Sequence, residues 1–148
     1  MNTPQYTTYQ LDGKRFTSRL PPTTRLSQQI RDEAGIKSVK VGCNAGDCGA
    51  CSVLLDGQPV CACLTPLAQV AERNVETVTG LMADEPLTQA LSQSFLEHGA
   101  VQCGMCTPAM LVAATALHRT HAAPSELQVK DALGGVLCRC TGYRKIIS

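Results

Sequence analysis

Hydrophobic and polar positions change rhythm partway along the chain. Up to about residue 80, apolar residues come in short runs broken by turn pairs. The stretch "YTTYQLDGKRFTSRL" (6–20) predicts a β-hairpin turning at Asp12-Gly13, where glycine takes positive φ at little cost. "PPTTRLSQQIRDEAG" (21–35) predicts a helix capped by Thr23 or Thr24, with Leu26 and Ile30 on its apolar face and Gly35 at its end. "SVLLDGQPVCAC" (52–63) predicts a second hairpin around Asp56-Gly57, "TPLAQVAE" (65–72) one short helix, and "VETVTG" (75–80) a last strand. From Asp84 the spacing becomes helical. Leu87, Ala90, Leu91, Phe95 and His98 mark a helix led by Asp84 or Glu85 and closed by Gly99. "CTPAMLVAATALHRTH" (106–121) predicts a helix with Thr107 as cap and Pro108 in the first turn, and Met110, Leu111, Ala114 and Leu117 share one face. In "PSELQVKDALGG" (124–135), Ser125 and Gln128 stand at capping-box spacing and Gly134-Gly135 stops the helix. "GYRKIIS" (142–148) reads as the first turns of a fourth helix.

This order implies an α+β protein with a boundary near residues 80–85: a β-rich domain over 1–82 and a helical one over 83–148. A hairpin, a crossing helix and further strands are the element order of a β-grasp sheet packed on a helix. No internal repeat or low-complexity tract interrupts it.

Composition narrows the function. With 148 residues, 44% of them hydrophobic, the chain is long enough to bury a core. A formal charge of +1 and only 3% aromatic residues leave neither a basic stripe nor stacking platforms for nucleic acid. No apolar run is long enough to cross a membrane, and the N-terminus lacks a charged-then-apolar signal, so a cytoplasmic protein is expected. There is no glycine-rich dinucleotide fingerprint, P-loop or nucleophile elbow.

The anomaly is nine cysteines. The count is odd and no secretion signal accompanies it, which argues for metal or redox chemistry over a disulfide framework. "CNAGDCGAC" (43–51) places Cys43, Cys48 and Cys51 at C-x4-C-x2-C, and Cys61 and Cys63 follow on the second hairpin. A distant fourth cysteine after that spacing is the plant-type pattern for a 2Fe–2S cluster. An anionic cluster needs backbone N–H groups near its sulfurs, and Gly46 and Gly49 let the loop curl its amides inward. Cys103 and Cys106 (C-x2-C) and Cys138 and Cys140 (C-x-C) make a second set in the helical half. Zinc is the competing use of such pairs, for example Cys48/Cys51 with Cys103/Cys106. That choice leaves five cysteines idle, whereas two four-cysteine sites leave one. Spacing alone does not choose between Cys61 and Cys63, which point the same way on a strand.

Together "VGCNAGDCGACSVLLDGQPVCAC", "VQCGMCTPAM" and "LCRCTGYRKII" resemble the iron–sulfur subunit or domain of the molybdenum hydroxylases, over nearly the whole chain. These include xanthine dehydrogenases, aldehyde oxidoreductases, carbon monoxide dehydrogenases and N-heterocycle hydroxylases. The resemblance implies a β-grasp half and a helical-bundle half, each with one 2Fe–2S cluster. It implies Cys43, Cys48, Cys51 and Cys63 as ligands of the first, with Cys61 spare, and Cys103, Cys106, Cys138 and Cys140 as ligands of the second. It further implies that Gln102 and Cys140 meet the pterin of a molybdenum cofactor held mainly by a large partner chain or domain. The implied role is electron relay from that cofactor to a flavin chain or other acceptor, while the large chain hydroxylates an aldehyde, N-heteroaromatic or similar substrate. From another class, a zinc-binding interaction module remains as alternative, as does a stand-alone two-cluster ferredoxin.

The remaining polar residues have plainer readings. His118 and His121, three apart, could pair on a metal, but histidines near a helix end are more often surface groups. Arg139, Arg144 and Lys145 suit a solvated basic patch or a partner contact, and Met105 and Met110 suit packing.

Overall fold

The computed structural model describes residues 6–148. The first hairpin pairs β1 (Thr7–Leu11) with β2 (Lys14–Ser18), and the second pairs β3 (Ser52–Leu55) with β4 (Gln58–Cys61). Both turns carry an aspartate and a glycine at positive φ, Asp12-Gly13 and Asp56-Gly57, as a two-residue hairpin loop requires. A short strand, β5 (Asn74–Glu76), runs parallel to β1 and antiparallel to β3. The sheet order is β2-β1-β5-β3-β4.

Helix α1 (Leu26–Asp32) crosses one face of the sheet. Its Leu26 and Ile30 join Tyr9, Leu11, Val53, Leu55, Val70 and Val75 in one fully enclosed core. Neither Thr23 nor Thr24 caps it. Arg25 holds the cap position, and two orphan amides are satisfied by tertiary structure: Leu26 N–H donates to Thr65 O at 2.8 Å and Ser27 N–H to Ala62 O at 3.1 Å. Gly35, at φ +75°, ends the helix as expected. The segment 65–72 forms only a single 3-10 turn, Leu67–Val70.

The expected strand over 75–80 is half helix. After β5, Thr77 caps α2 (Val78–Asp84), accepting the Thr79 N–H. The Asp12 carboxylate fixes this change of direction by accepting from the Thr77 N–H at 2.6 Å and the Thr77 hydroxyl at 2.7 Å. The β-branched run V-E-T-V-T reads as strand locally, and a side chain 65 residues away overrides it.

Three further helices and a final turn complete the chain: α3 (Pro86–Glu97), α4 (Thr107–Thr120), α5 (Glu126–Leu133) and α6 (Arg144–Ile147). Glu85 leads α3 without capping it, because its carboxylate is engaged by Arg119. Cys106 takes the cap position of α4, one residue before the expected Thr107. The Ser125/Gln128 capping box forms on α5. Helix α4 is the centre of this half, buried continuously from Ala109 to Ala116. Its alanines permit close approach, and the Thr115 hydroxyl meets Thr88 of α3 at 2.9 Å in the interior.

The two halves share one strand. Val53 and Leu55 of β3 face the α1 core, while Leu54 points to the opposite side and packs in the core built on α4. Arg119 of α4 adds a polar tie across the same junction, bonding both carboxylate oxygens of Glu76 (2.9 and 3.0 Å) and of Glu85 (2.6 and 3.0 Å).

Candidate functional site

The loop from α1 to β3 carries Cys43, Cys48 and Cys51. Asn44 (φ +57°) and Gly46 (φ +82°) curl it so that its amides turn inward. The Cys43 sulfur accepts from the N–H groups of Ala45 (3.3 Å), Asp47 (3.3 Å) and Cys48 (3.4 Å). These donors, Ala45 foremost, lower the Cys43 thiol to about 6, so that it is a thiolate at neutral pH. The Cys48 side chain also bonds to it. Cys51 and Cys63 form the opposite pair. Both are buried, and the Cys63 N–H donates to the Cys51 sulfur at 3.4 Å. Burial pushes the Cys51 thiol up to about 12, a cost that a bound metal reverses by displacing the proton. Cys61 is a fifth thiol in this site. It is half-buried, 3.9 Å from the Gly46 carbonyl, and raised first by burial and then by Cys63.

The second set lies at the N-terminal end of α4. Gly104, at φ +79°, turns the Met105 N–H onto the Cys103 sulfur at 3.5 Å, and this amide chiefly lowers the Cys103 thiol; Cys140 also bonds to it. Cys106 is buried at the α4 cap and contacts Cys138; burial pushes it up to about 12. Burial also opposes ionisation of Cys138, but the Thr141 hydroxyl at 3.0 Å and the Thr141 and Cys140 amides outweigh it and lower the thiol. The Tyr143 hydroxyl pins this loop, accepting the Cys138 N–H at 2.9 Å and donating to the Val136 carbonyl at 3.0 Å. Gln102, Cys103, Met105 and Cys140 are exposed on this rim.

The two sites are in direct contact. Leu137, next to Cys138, donates its N–H to the Cys48 carbonyl at 2.9 Å. Gly49 makes this approach possible: it is buried, at φ +70°, and a Cβ there would overlap the Gly135 carbonyl oxygen.

Eight thiols fall into four contacting pairs, Cys43/Cys48 and Cys51/Cys63, then Cys103/Cys140 and Cys106/Cys138, and the ninth, Cys61, also bonds to Cys51. This donor set fits 2Fe–2S clusters, in which each iron takes two thiolates and four sulfurs spread around a two-metal core. Among the described residues, no three His, Cys, Asp or Glu side chains close tightly enough around one point to hold a single ion. Cys48/Cys51 and Cys103/Cys106, the combination a zinc site would use, are divided between the two sites. His118 and His121 join neither. Sequence spacing found all nine cysteines but not the contacts of Arg25, Leu137 and Tyr143; the last two lie in the quoted C-terminal motif, which does not reveal their hydrogen-bond partners.

Two family profiles span the chain. One, described as a 2Fe-2S iron-sulfur cluster binding domain, matches residues 1–92; the other, a 2Fe-2S binding domain, matches residues 77–148. The small FeS subunit of nicotinate dehydrogenase from Eubacterium barkeri is 42% identical over 136 residues, covering 92% of this chain and 86% of that one. The chain belongs to the iron–sulfur subunits and domains of the molybdenum hydroxylases. Within this family, the small subunit of nicotine 6-hydroxylase from Paenarthrobacter nicotinovorans is 39% identical, covering 93% of this chain and 82% of that one. Among solved structures, a chain of quinoline 2-oxidoreductase from Pseudomonas putida 86 superposes with a TM-score of 0.90 at 39% identity, covering 97% of this chain and 88% of that one. The aldehyde oxidoreductase of Desulfovibrio desulfuricans gives 0.89 at 36% identity, but there the matched region is 16% of a longer chain. The protein is thus the iron–sulfur, redox part of an oxidoreductase, an electron-transfer component with a mixed α/β ferredoxin-like fold.

Proposed function

We propose that the chain is the two-cluster electron relay between a molybdenum cofactor and a flavin or other acceptor. Cys43, Cys48, Cys51 and Cys63 hold the first 2Fe–2S cluster, in a β-grasp domain over residues 1–82. Cys103, Cys106, Cys138 and Cys140 hold the second, in a helical bundle over 83–148. The observation that carries this reading is the arrangement of eight thiols in four pairs, with backbone N–H groups aimed at sulfur. Cys63 is preferred over Cys61 because it is buried against Cys51 and donates its own amide there.

A bound 2Fe–2S cluster supplies one-electron oxidation and reduction. The chain's own residues do the rest. The inward amides and the positive end of α4 favour the negative charge of a reduced site. The Leu137-to-Cys48 hydrogen bond supplies a short route from the Cys138 segment to the Cys48 segment. Gln102 and Cys140, exposed on one rim, are placed to meet a pterin presented by a large molybdenum-binding partner. That partner selects the substrate, an aldehyde or an N-heteroaromatic compound. A cytoplasmic setting fits cysteines used as cluster ligands, and among the described residues no helix is long and apolar enough to cross a membrane.

The test is metal analysis of natively purified protein, combined with EPR after anaerobic reduction. The expected result is four irons per chain, two distinct 2Fe–2S signals and molybdenum in a copurifying large chain. Two signals with neither molybdenum nor a partner would instead identify a stand-alone ferredoxin. Zinc without iron would overturn both readings.

A further inference from the structure

Arg25 does more than occupy the cap position of α1. Its backbone is fixed by a bridge to Pro66 and by the Leu26 N–H bond to Thr65. From there the side chain reaches back over the first cysteine site. One guanidinium nitrogen, Nη1, donates to the Asn44 carbonyl at 2.7 Å and to the Cys63 carbonyl at 2.8 Å. The Asn44 side-chain oxygen lies 3.5 Å from the same nitrogen. Asn44 directly follows Cys43, so one nitrogen joins the segments that carry two facing sulfur pairs. Those segments are separated from Arg25 by 19 and 38 residues; backbone bonds already tie the Cys63 segment to the start of α1, and the Arg25 side chain adds the Cys43 loop.

Arg25 is exposed and, among the described residues, makes no salt bridge; those present involve Arg15, Lys37, Arg73, Arg119 and Lys130. A site of four thiolates gains further negative charge when its cluster is reduced, and a fixed cation beside it favours that state. Both carbonyls are oriented toward the guanidinium, so their negative ends are turned to Arg25 rather than to the sulfurs.

We infer that Arg25 is a positioning residue for the first cluster: it clamps the Cys43 loop to the Cys63 segment and raises the reduction potential of that cluster alone. This inference rests on the cluster assignment proposed above. Two properties separate the parts of the role. The clamp sets how fast the site opens and releases iron; the charge sets the potential. Lysine keeps the charge but offers a compact ammonium in place of the rigid guanidinium fork. Methionine keeps an unbranched apolar stem and removes both.

The experiment is an EPR-monitored redox titration of the holo-protein, purified with its partner, for the parent, Arg25→Lys and Arg25→Met. Iron release to a chelator is followed on the same samples. In Arg25→Met, one of the two 2Fe–2S signals is expected to move to lower potential while the other stays, and about half of the iron is expected to leave roughly tenfold faster, the scale of a lost charged hydrogen bond. Arg25→Lys is expected to hold the parent potential but release that iron faster. The signal that moves should be the one abolished by Cys63→Ser. Parent-like potential and release in Arg25→Met would overturn the inference, as would an equal shift of both signals, which marks general loosening. A parent that lacks one signal altogether would refute the cluster assignment instead.

Discussion

At the residue scale, the first site poses a choice between two thiols two positions apart. Both thiols bond to Cys51, but Cys63 is buried and also donates its backbone N–H there, whereas Cys61 is half-buried. Cys61→Ser is expected to keep both 2Fe–2S signals and four irons, and Cys63→Ser to lose the first cluster; iron analysis with EPR reads both. Tyr143 presents a different kind of control, because its hydroxyl satisfies two backbone groups flanking Leu137. Tyr143→Phe leaves the Cys138 N–H and the Val136 carbonyl without that partner, a cost of about 1–3 kcal/mol. The second cluster should then bleach faster under a chelator, while the first keeps its parent rate. Neither the Tyr143 bridge nor the Arg25 clamp was legible in the sequence: the Arg25 side chain meets backbone of two other loops, and the Tyr143 bridge, though it closes within its own loop, follows no spacing rule.

At the element scale, the decisive feature is the corner where β5 becomes α2. Asp12, in the β1–β2 turn, accepts both the Thr77 amide and hydroxyl, and Gly80 leaves room for it: a Cβ there would overlap the Asp12 side chain. Burial raises the Asp12 carboxyl above its ordinary range, more than the bonds from Thr77 lower it. The sign follows from linkage. A carboxyl with a raised folded-state value binds its proton more readily when folded. Stability is therefore greatest below the unfolded value and falls as pH rises through the folded one. At pH 7 the charged form carries the full cost. Asp12→Asn should accordingly unfold at the same temperature as the parent or higher at pH 7. Asp12→Ala leaves the Thr77 N–H without an acceptor and should lose about 1–3 kcal/mol, read as a lower unfolding midpoint. The strand expected over 75–80 fails at this corner for the same reason: local propensity is weak beside a half-buried acceptor of two hydrogen bonds.

At the scale of the whole molecule, function depends on two sites being held against each other. Three contacts do this: Leu54 crossing into the α4 core, Arg119 bridging Glu76 and Glu85, and the Gly49–Gly135 approach beneath the Leu137-to-Cys48 bond. Two glycines of one loop separate local strain from this global role. Gly46→Ala meets only the exposed Leu64 side chain, which can swing away, so its cost is chiefly the positive φ, about 1–2 kcal/mol. Gly49→Ala adds a collision with backbone from the other half. It should break the Leu137 bond and slow intramolecular electron transfer between the clusters, while Gly46→Ala leaves that rate near the parent value. Flash-initiated reduction, followed optically, distinguishes the two.

The sequence by itself determined the hairpins, the helices from residue 86 onward and the existence of two cysteine sets, because each is a local rule: an Asp-Gly turn, a 3.6-residue spacing, a capping box, a fixed interval between thiols. The single-residue turn preferences at Asp12-Gly13 and Ser125/Gln128 needed no help from distant chain. Only the tertiary structure decided which thiols pair, what caps α1 and α4, that residues 78–84 are helix, and that the two sites touch. Those outcomes depend on burial and on hydrogen-bond partners tens of residues away, whose free energies exceed the few tenths of a kcal/mol by which local propensities differ.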